Sequence, residues 1–356
     1  MRLIIKILFA FVLMVVAIPI ANGQEVLWGV DMNYRFDNRE YVDLQVANSG
    51  TMFGSRLSPQ LGITWNQTNT LMAGVNLMRD FGHRSFYTKP DFFAYYNYDN
   101  GRFDFTAGVF PREKLTGEYS YAFFSDSLRF YDANLEGLIM HYKTRKFNFE
   151  IGCDWNSMYS SDRREKFMVF SAAQYKPGVF YVGYSFDMYH HAGSYTLGGV
   201  VDNVLVSPYL GVDLSELTGM QTFKVQAAWL QAFQNDRSHV GDYVSPGGAQ
   251  LDVRLKYKGF GVNNNLYLGD NLFPYYDCPY EDDNGTTYSY YLYNGDPYYK
   301  TTSGVYNRLE LFWETNLIKD VKTRISSIHH YDGHNWGWQQ AITLRLTLGG
   351  RLFGKR

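Results

Sequence analysis

The segment WGVDMNYRFD, residues 28–37, alternates apolar and polar side chains at every step. In an extended strand successive side chains point to opposite sides, so the apolar residues of this segment share one face. They are Trp28, Val30, Met32, Tyr34 and Phe36. An alternation of this length predicts a β-strand with an apolar face and a polar face.

The same period of two recurs along the rest of the chain. It is clear in residues 147–156, 180–189 and 251–257, and again near the end of the chain in residues 342–348. The repetition predicts an all-β protein, because helices would place apolar residues at a period of 3.6.

The connections between these segments alternate in length. Short turns rich in Gly, Pro, Asn and Asp lie at 66–69, 99–101, 143–146, 176–178, 215–219, 258–259 and 316–320. Longer connections lie near 37–52, 81–91, 111–131, 157–166, 190–200, 234–248, 269–303 and 329–336. Seven turns and eight loops join sixteen strands, and outer-membrane barrels of single chains have even strand numbers. We therefore predict a transmembrane antiparallel β-barrel of about 16 strands, with short periplasmic turns and long external loops.

The start of the chain and the composition agree with this fold. Arg2 and Lys6 precede an apolar run over residues 7–20, and the small residues Ala21 and Gly23 follow it, so residues 1–23 are predicted to be a signal peptide. Residues 24–356 then form a single barrel domain. The mean hydropathy of −0.31 is too polar for a bundle of membrane helices, whereas a barrel exposes only alternate residues to lipid.

In its alternation, its turn and loop lengths and its amphipathic last strand, Gln339 to Phe353, the chain resembles the porins of Gram-negative bacteria. The resemblance implies location in the cell outer membrane, contact with its lipids and with the barrel-assembly machinery, and a homotrimer. It also implies that the third external loop, Pro111 to Tyr131, folds into the pore. Porins commonly end on an aromatic residue, whereas here residues 354–356 follow Phe353.

A barrel of this strand number is wide enough for an aqueous channel, so the lumen-facing residues are candidate pore-lining and solute-binding groups. They are Asp104, Glu150, Asp154 and Asp187 in the first half, and Arg254, Lys256, Arg308, Glu310, Arg324 and Arg345 in the last third. We expect an acidic wall that faces a basic wall, and passive or mildly selective passage of small hydrophilic solutes. The alternative is that these charges pair with their strand neighbours.

The longest loop, residues 269–303, is rich in tyrosine. Its candidate external contacts to solutes, including oligosaccharides, are Tyr288, Tyr290, Tyr291 and Tyr293. A phenol ring offers both a flat apolar face and a hydroxyl, which suits stacking on sugar rings. The alternative is a lid whose tyrosines bury one another.

Two other function classes remain open. Ser326, Ser327, His329, His330 and Asp332 supply the residue types of a rim hydrolase site within one strand end, and a surface adhesin or structural barrel needs only the loops. We expect a channel rather than an enzyme, with no cofactor and no catalytic residue. We also expect no metal site at the rim histidines, which include His190 and His191, and no nucleic-acid partner, because no basic cluster is present.

Overall fold

The computed structural model of the chain describes residues 24–44, 47–83, 89–196, 198–278 and 290–353. The predicted signal peptide lies outside these residues and stays a prediction. No helix in the described part of the chain is long and apolar enough to span a membrane.

Within the described residues the chain forms sixteen strands. Their bounds are β1 Gln24–Glu40, β2 Gly50–Trp65, β3 Asn69–Asp80, β4 Asp91–Asp99, β5 Phe103–Pro111, β6 Asn134–Lys143, β7 Phe147–Ser157, β8 Lys166–Tyr175, β9 Phe180–His191, β10 Val201–Asp213, β11 Thr222–Asp236, β12 Gly247–Tyr257, β13 Phe260–Gly269, β14 Val305–Ile318, β15 Val321–Tyr331 and β16 Trp336–Phe353. Two single-turn α-helices span Leu128–Tyr131 and Ser215–Thr218, and short 3-10 turns span Arg112–Lys114, Tyr290–Leu292 and Pro297–Lys300.

Each strand pairs antiparallel with its neighbours in the sequence, and β1 pairs with β16 to close the barrel. The predicted all-β class, strand number and antiparallel order are confirmed. The short turns gather at one end of the barrel, the turn rim, and the long connections gather at the other, the loop rim. Closure leaves no sheet edge, which is the condition for a β-structure in a bilayer.

The alternation read from the sequence separates two surfaces of the wall. On β16, Ile342, Leu344 and Leu346 pair with Phe36, Tyr34 and Met32 of β1, and these residues point outward. Ile342 is 42% exposed on that outer face. The residues between them, such as Thr343 opposite Arg35, point into the lumen.

Loop 3, residues 112–133, folds into the lumen, as the resemblance to porins implies. The backbone N–H groups of Thr116 and Gly117 donate to Glu150 of β7 at 2.6 and 2.9 Å. Farther along the loop, Glu118 pairs with Arg254 of β12 at 2.8 Å, and Asp126 pairs with Arg35 of β1 at 3.0 Å. The loop is therefore held against strands on different sides of the barrel.

The described parts of loop 7, residues 270–278 and 290–304, pack onto loop 3. Ser125 donates its backbone N–H to Asn294 and Asp296 donates to Tyr121, both at 2.8 Å. An apolar cluster joins the two loops to the wall, and its buried members are Tyr41, Leu44, Ala122, Phe123, Leu205, Leu230, Ala232, Tyr267, Leu272, Phe273, Tyr298, Tyr299 and Tyr306. A second cluster packs Leu115 of loop 3 and Tyr275 and Leu292 of loop 7 against wall residues that include Phe170. The loop-rim half of the lumen thus contains two packed apolar clusters, which we call the packed interior.

The two surfaces of the wall predict different tolerance to charge. Leu344→Arg places a cation on the outer face near the middle of β16, and it should lower the free energy of unfolding by ~2–4 kcal/mol in lipid vesicles, measured by urea titration. Thr343→Arg is the matched control, since its side chain faces a lumen cavity that also holds Asp126 and Glu310. Equal losses in the two variants would show that the faces are assigned wrongly.

The Arg35–Asp126 contact predicts how loop 3 responds to pH. Burial alone would raise the pKa of the Asp126 carboxyl, but the guanidinium groups of Arg35 and Arg308 outweigh it and hold that pKa well below its usual value. A carboxyl with a depressed folded pKa stabilises the fold above its unfolded pKa, and that stabilisation is lost as the pH falls through the folded value.

Asp126→Asn should therefore speed hydrogen exchange in residues 112–133 at pH 7. Because the Asp126 side chain is 44% exposed, we expect a loss of only about 1 kcal/mol. The difference from the parent protein should shrink below about pH 4. Asp162→Asn, in another loop, changes a carboxylate whose partner is the nearby Ser160, and it should leave loop 3 unaffected. A difference that persists undiminished at pH 2 would contradict the anchoring role.

Candidate functional site

The acidic lumen residues predicted from the sequence lie inside the barrel and contact mainly loop 3 and strand neighbours. Glu150 accepts from the backbone of loop 3 and lies 3.0 Å from His141 Nε2. Asp154 pairs with the buried Arg112 at 3.3 Å, and Asp104 accepts from Asn97 at 2.6 Å. Asp187 is buried in the wall of β9. Three of these carboxylates thus have hydrogen-bonding roles within the fold.

The basic lumen residues also have local partners. Arg254 pairs with Glu118, Lys256 with Glu314 at 2.5 Å, and Arg345 with Asp31 at 2.7 Å. Glu310 lies between Arg308 and Arg324, at 3.2 and 2.8 Å. This geometry matches the alternative of local pairing. Selectivity from two charged walls stays a prediction.

The tyrosines proposed as external contacts divide between two environments. Tyr293 donates to Gln234 Oε1 at 2.6 Å and stacks on Phe273 at 4.4 Å, so it belongs to the packed interior. Tyr291 is 48% exposed near Lys166. Tyr288 and the side chain of Tyr290 lie outside the described residues.

Beneath loop 3 the lumen contains a cavity of about 500 Å³. Its lining is rich in charge, with Arg35, Arg254, Arg324 and Glu310 around Ser326. Ser326 Oγ donates to Glu310 at 2.7 Å, so Ser326 has a carboxylate neighbour rather than an imidazole. Its neighbour His330 is buried against Tyr298 and Tyr306 farther up the lumen.

Ser327, which follows Ser326 on β15, lies on the opposite surface of the wall. Ser327 and His329 both point outward, and Ser327 Oγ lies 3.1 Å from His329 Nε2. The indole of Trp338 donates to the same hydroxyl at 2.9 Å. Because the indole can only donate, this contact leaves the Ser327 proton available to His329. A serine hydroxyl hydrogen-bonded to an imidazole is the first requirement of serine-type nucleophilic catalysis.

This pair lies close to the loop rim. His329 is two residues from the end of β15, which corresponds to roughly 7 Å along a strand. Exposed aromatic rings flank it, since Trp336 is 60% and Trp338 44% exposed, as expected where a barrel wall passes from hydrocarbon to head groups. Farther from the loop rim, the outer-face residues Ile325 and Ile342 are apolar. The pair therefore lies at the boundary between apolar and polar surroundings.

One outer-face amide lies beside the pair and a second contacts the first, and neither was predicted from the sequence. Gln340 of β16 lies directly opposite Ser327 and Asn38 of β1 directly opposite Gln340, and Asn38 Nδ2 donates to Gln340 Oε1 at 2.6 Å. The sequence carries one signal for Asn38, which is a break in the alternation of β1: the polar Asn38 follows the apolar outer-face series that ends at Phe36. Among the described residues no carboxylate forms an ion pair with His329, and no group of three or more metal-ligating side chains is present.

Solved structures of outer-membrane proteins share this fold. OmpT with loop L8 deleted, an outer membrane protein of Vibrio cholerae, is similar with a TM-score of 0.56 and 12% identity, over 92% of this chain and 100% of that one. In-vitro folded OmpT of the same organism has a TM-score of 0.54 and 10% identity, over 93% of this chain and 100% of that one. OprD of Pseudomonas aeruginosa has a TM-score of 0.50 and 11% identity, over 93% of this chain and 96% of that one. No curated protein matches the sequence. The chain is an outer-membrane β-barrel, as predicted, and its location is the outer membrane.

A family model described as lipid A 3'-O-deacylase-type matches residues 21–355, nearly the whole chain. The match corrects one expectation. The prediction that the protein is not an enzyme is wrong, because the description of the family names the cleavage of an acyl ester. The alternative of a rim hydrolase agrees with this family better than the channel does. Residue types alone did not reveal that Ser327 and His329 contact one another. The chain belongs to the lipid A 3'-O-deacylase-type family.

Proposed function

We propose that the protein is an outer-membrane hydrolase that removes an ester-linked acyl chain from a lipid A-type glycolipid. In this proposal Ser327 is the nucleophile and His329 is the general base. The observation that carries the proposal is the Ser327–His329 hydrogen bond on the outer face of β15, at the level of the exposed tryptophans. The family match supports the reaction class.

The position of the pair suits a membrane lipid as the substrate. An ester between an acyl chain and a sugar lies where hydrocarbon meets the polar head group. With the long loops external, the loop rim faces the outer leaflet, and Ser327 lies at that boundary. A substrate can then reach the nucleophile by lateral diffusion, without entering the lumen.

The chemistry requires two half-reactions. Ser327 Oγ attacks the ester carbonyl while His329 Nε2 takes the hydroxyl proton, and collapse of the tetrahedral intermediate releases the sugar hydroxyl with that proton. Water then attacks the acyl-serine with His329 again as the base, which releases the fatty acid and restores Ser327. His329 has no carboxylate ion-pair partner among the described residues, so we expect slow turnover; loss of the orienting acid in a serine triad costs about 10⁴ in kcat.

The packed interior gives less support to a channel. Apolar clusters that include residues of loops 3 and 7 lie in the loop-rim half of the lumen, and a path for hydrophilic solutes needs polar, hydrated walls. The charged cavity lies beneath this packing. In a planar bilayer we therefore expect conductance far below that of an open barrel of this strand number.

The proposal is tested by release of fatty acid from lipid A in mixed micelles, measured by mass spectrometry. Ser327→Ala and His329→Gln should each lower the rate by at least ~10³-fold, because each removes a member of the reacting pair. Ser326→Ala is the matched control, one residue away on the lumen face, and it should keep the parental rate. Activity that survives in Ser327→Ala but is lost in Ser326→Ala would move the chemistry into the lumen and end the proposal.

A further inference from the structure

We infer that the side-chain amide of Gln340, oriented by Asn38 and Glu40, is the oxyanion donor of this site. The inference deepens the proposed function and rests on Ser327 as the nucleophile. It assigns to the outer face a third group that acts on the reacting atoms, and it assigns two further groups that position it.

The register of the wall places Gln340 beside the nucleophile. Ser327 and Gln340 are directly opposite on β15 and β16, and both point outward. Directly opposite residues of an antiparallel pair have Cβ atoms about 4.5–5.5 Å apart, which is within the reach of a glutamine side chain. The Trp338 indole contacts Ser327 from the same strand as Gln340.

A carboxylate at the loop rim fixes which way the Gln340 amide faces. Glu40 can only accept, and Asn38 Nδ2 donates to it at 2.9 Å. The same Nδ2 donates to Gln340 Oε1 at 2.6 Å, while Asn38 Oδ1 accepts from Thr51 at 2.6 Å. Asn38 therefore donates a hydrogen bond to Gln340, and the side-chain oxygen of Gln340 accepts it. The Gln340 nitrogen is bonded to the same carbon as this oxygen but does not face Asn38, and β15, which carries Ser327, lies on the other side of β16 from β1.

That nitrogen is buried and has no hydrogen-bond partner within the part of the chain that the structure describes. Buried donors are rarely left unpaired, since each one loses its hydrogen bonds to water without replacement. An unpaired N–H next to a nucleophile is what an oxyanion site requires, because it gains a partner only when negative charge develops on the substrate oxygen.

In the reaction, the ester carbonyl oxygen gains negative charge when the Ser327 oxygen adds to the carbonyl carbon. The Gln340 N–H donates to that oxygen in the tetrahedral intermediate and transfers no proton. When the carbonyl re-forms, the charge leaves with the sugar oxygen, which takes the proton held on His329. Gln340 acts again when water attacks the acyl-serine.

The test measures kcat and KM separately on lipid A in mixed micelles. Gln340→Glu keeps the oxygen that accepts from Asn38 and replaces the donor by an acceptor. Gln340→Met removes the donor without adding charge. Both should lower kcat by about 10²–10³-fold with KM changed less than about 3-fold, as for the loss of one oxyanion donor. Asn38→Asp should lower kcat similarly, because an aspartate accepts only and turns the Gln340 nitrogen toward itself.

Gln221→Glu is the matched control at the turn rim, where Gln221 Oε1 accepts from Gly259, and its kcat should equal the parental value. A folded Gln340→Met protein with parental kcat, in a series where Ser327→Ala is inactive, overturns the inference and leaves the proposed function standing. If Ser327→Ala is also active, both the inference about Gln340 and the proposed function are contradicted. A rise in KM alone assigns Gln340 to substrate binding and overturns its role as the oxyanion donor.

Discussion

The structure depends on one constraint, which is that the hydrocarbon of a bilayer offers no partner to a backbone N–H or C=O group. Sixteen strands satisfy these groups only as a closed ring, and the ring closes where the first strand meets the last, over the register from Val26–Phe353 to Glu40–Trp338. The wall has an inner and an outer surface, and a side chain's place in the strand period decides which of them it occupies.

Each surface departs from its expected polarity in one region, which lies in or near the loop-rim half of the barrel. The inner surface, which could hold water, is bridged by loop 3 and packed with apolar residues of loops 3 and 7. The outer surface is apolar over most of its height, yet beneath the loop rim it carries serine, histidine and amide side chains in hydrogen-bond contact. Polar groups on a lipid-facing surface are costly, so their clustering at one height is an argument for function.

The sequence predicted what period and turn chemistry determine. Strand number, antiparallel order and the place of each turn followed from alternation and from residues such as Lys258 and Gly259, and loop 3 was expected inside the barrel from its ordinal position. It could not reveal that Ser327 and His329 contact one another. It also could not reveal the neighbours of Ser327, because a one-residue change of register exchanges faces and only the closed structure sets that register. Gln340 and Asn38 are 302 residues apart along the chain and become neighbours only through closure.

The register between β1 and β16 also links the assembly of the barrel to the proposed catalysis. The contact between Asn38 and Gln340 crosses the junction of β1 with β16, and in an open sheet these two strands are its free edges. A chain that has inserted most of its hairpins already contains the serine and the imidazole, but its Gln340 amide has no fixed orientation. On the mechanism that we propose, full catalytic strength requires the final strand pairing, so a partly assembled barrel would be a poor hydrolase of the membrane into which it is folding.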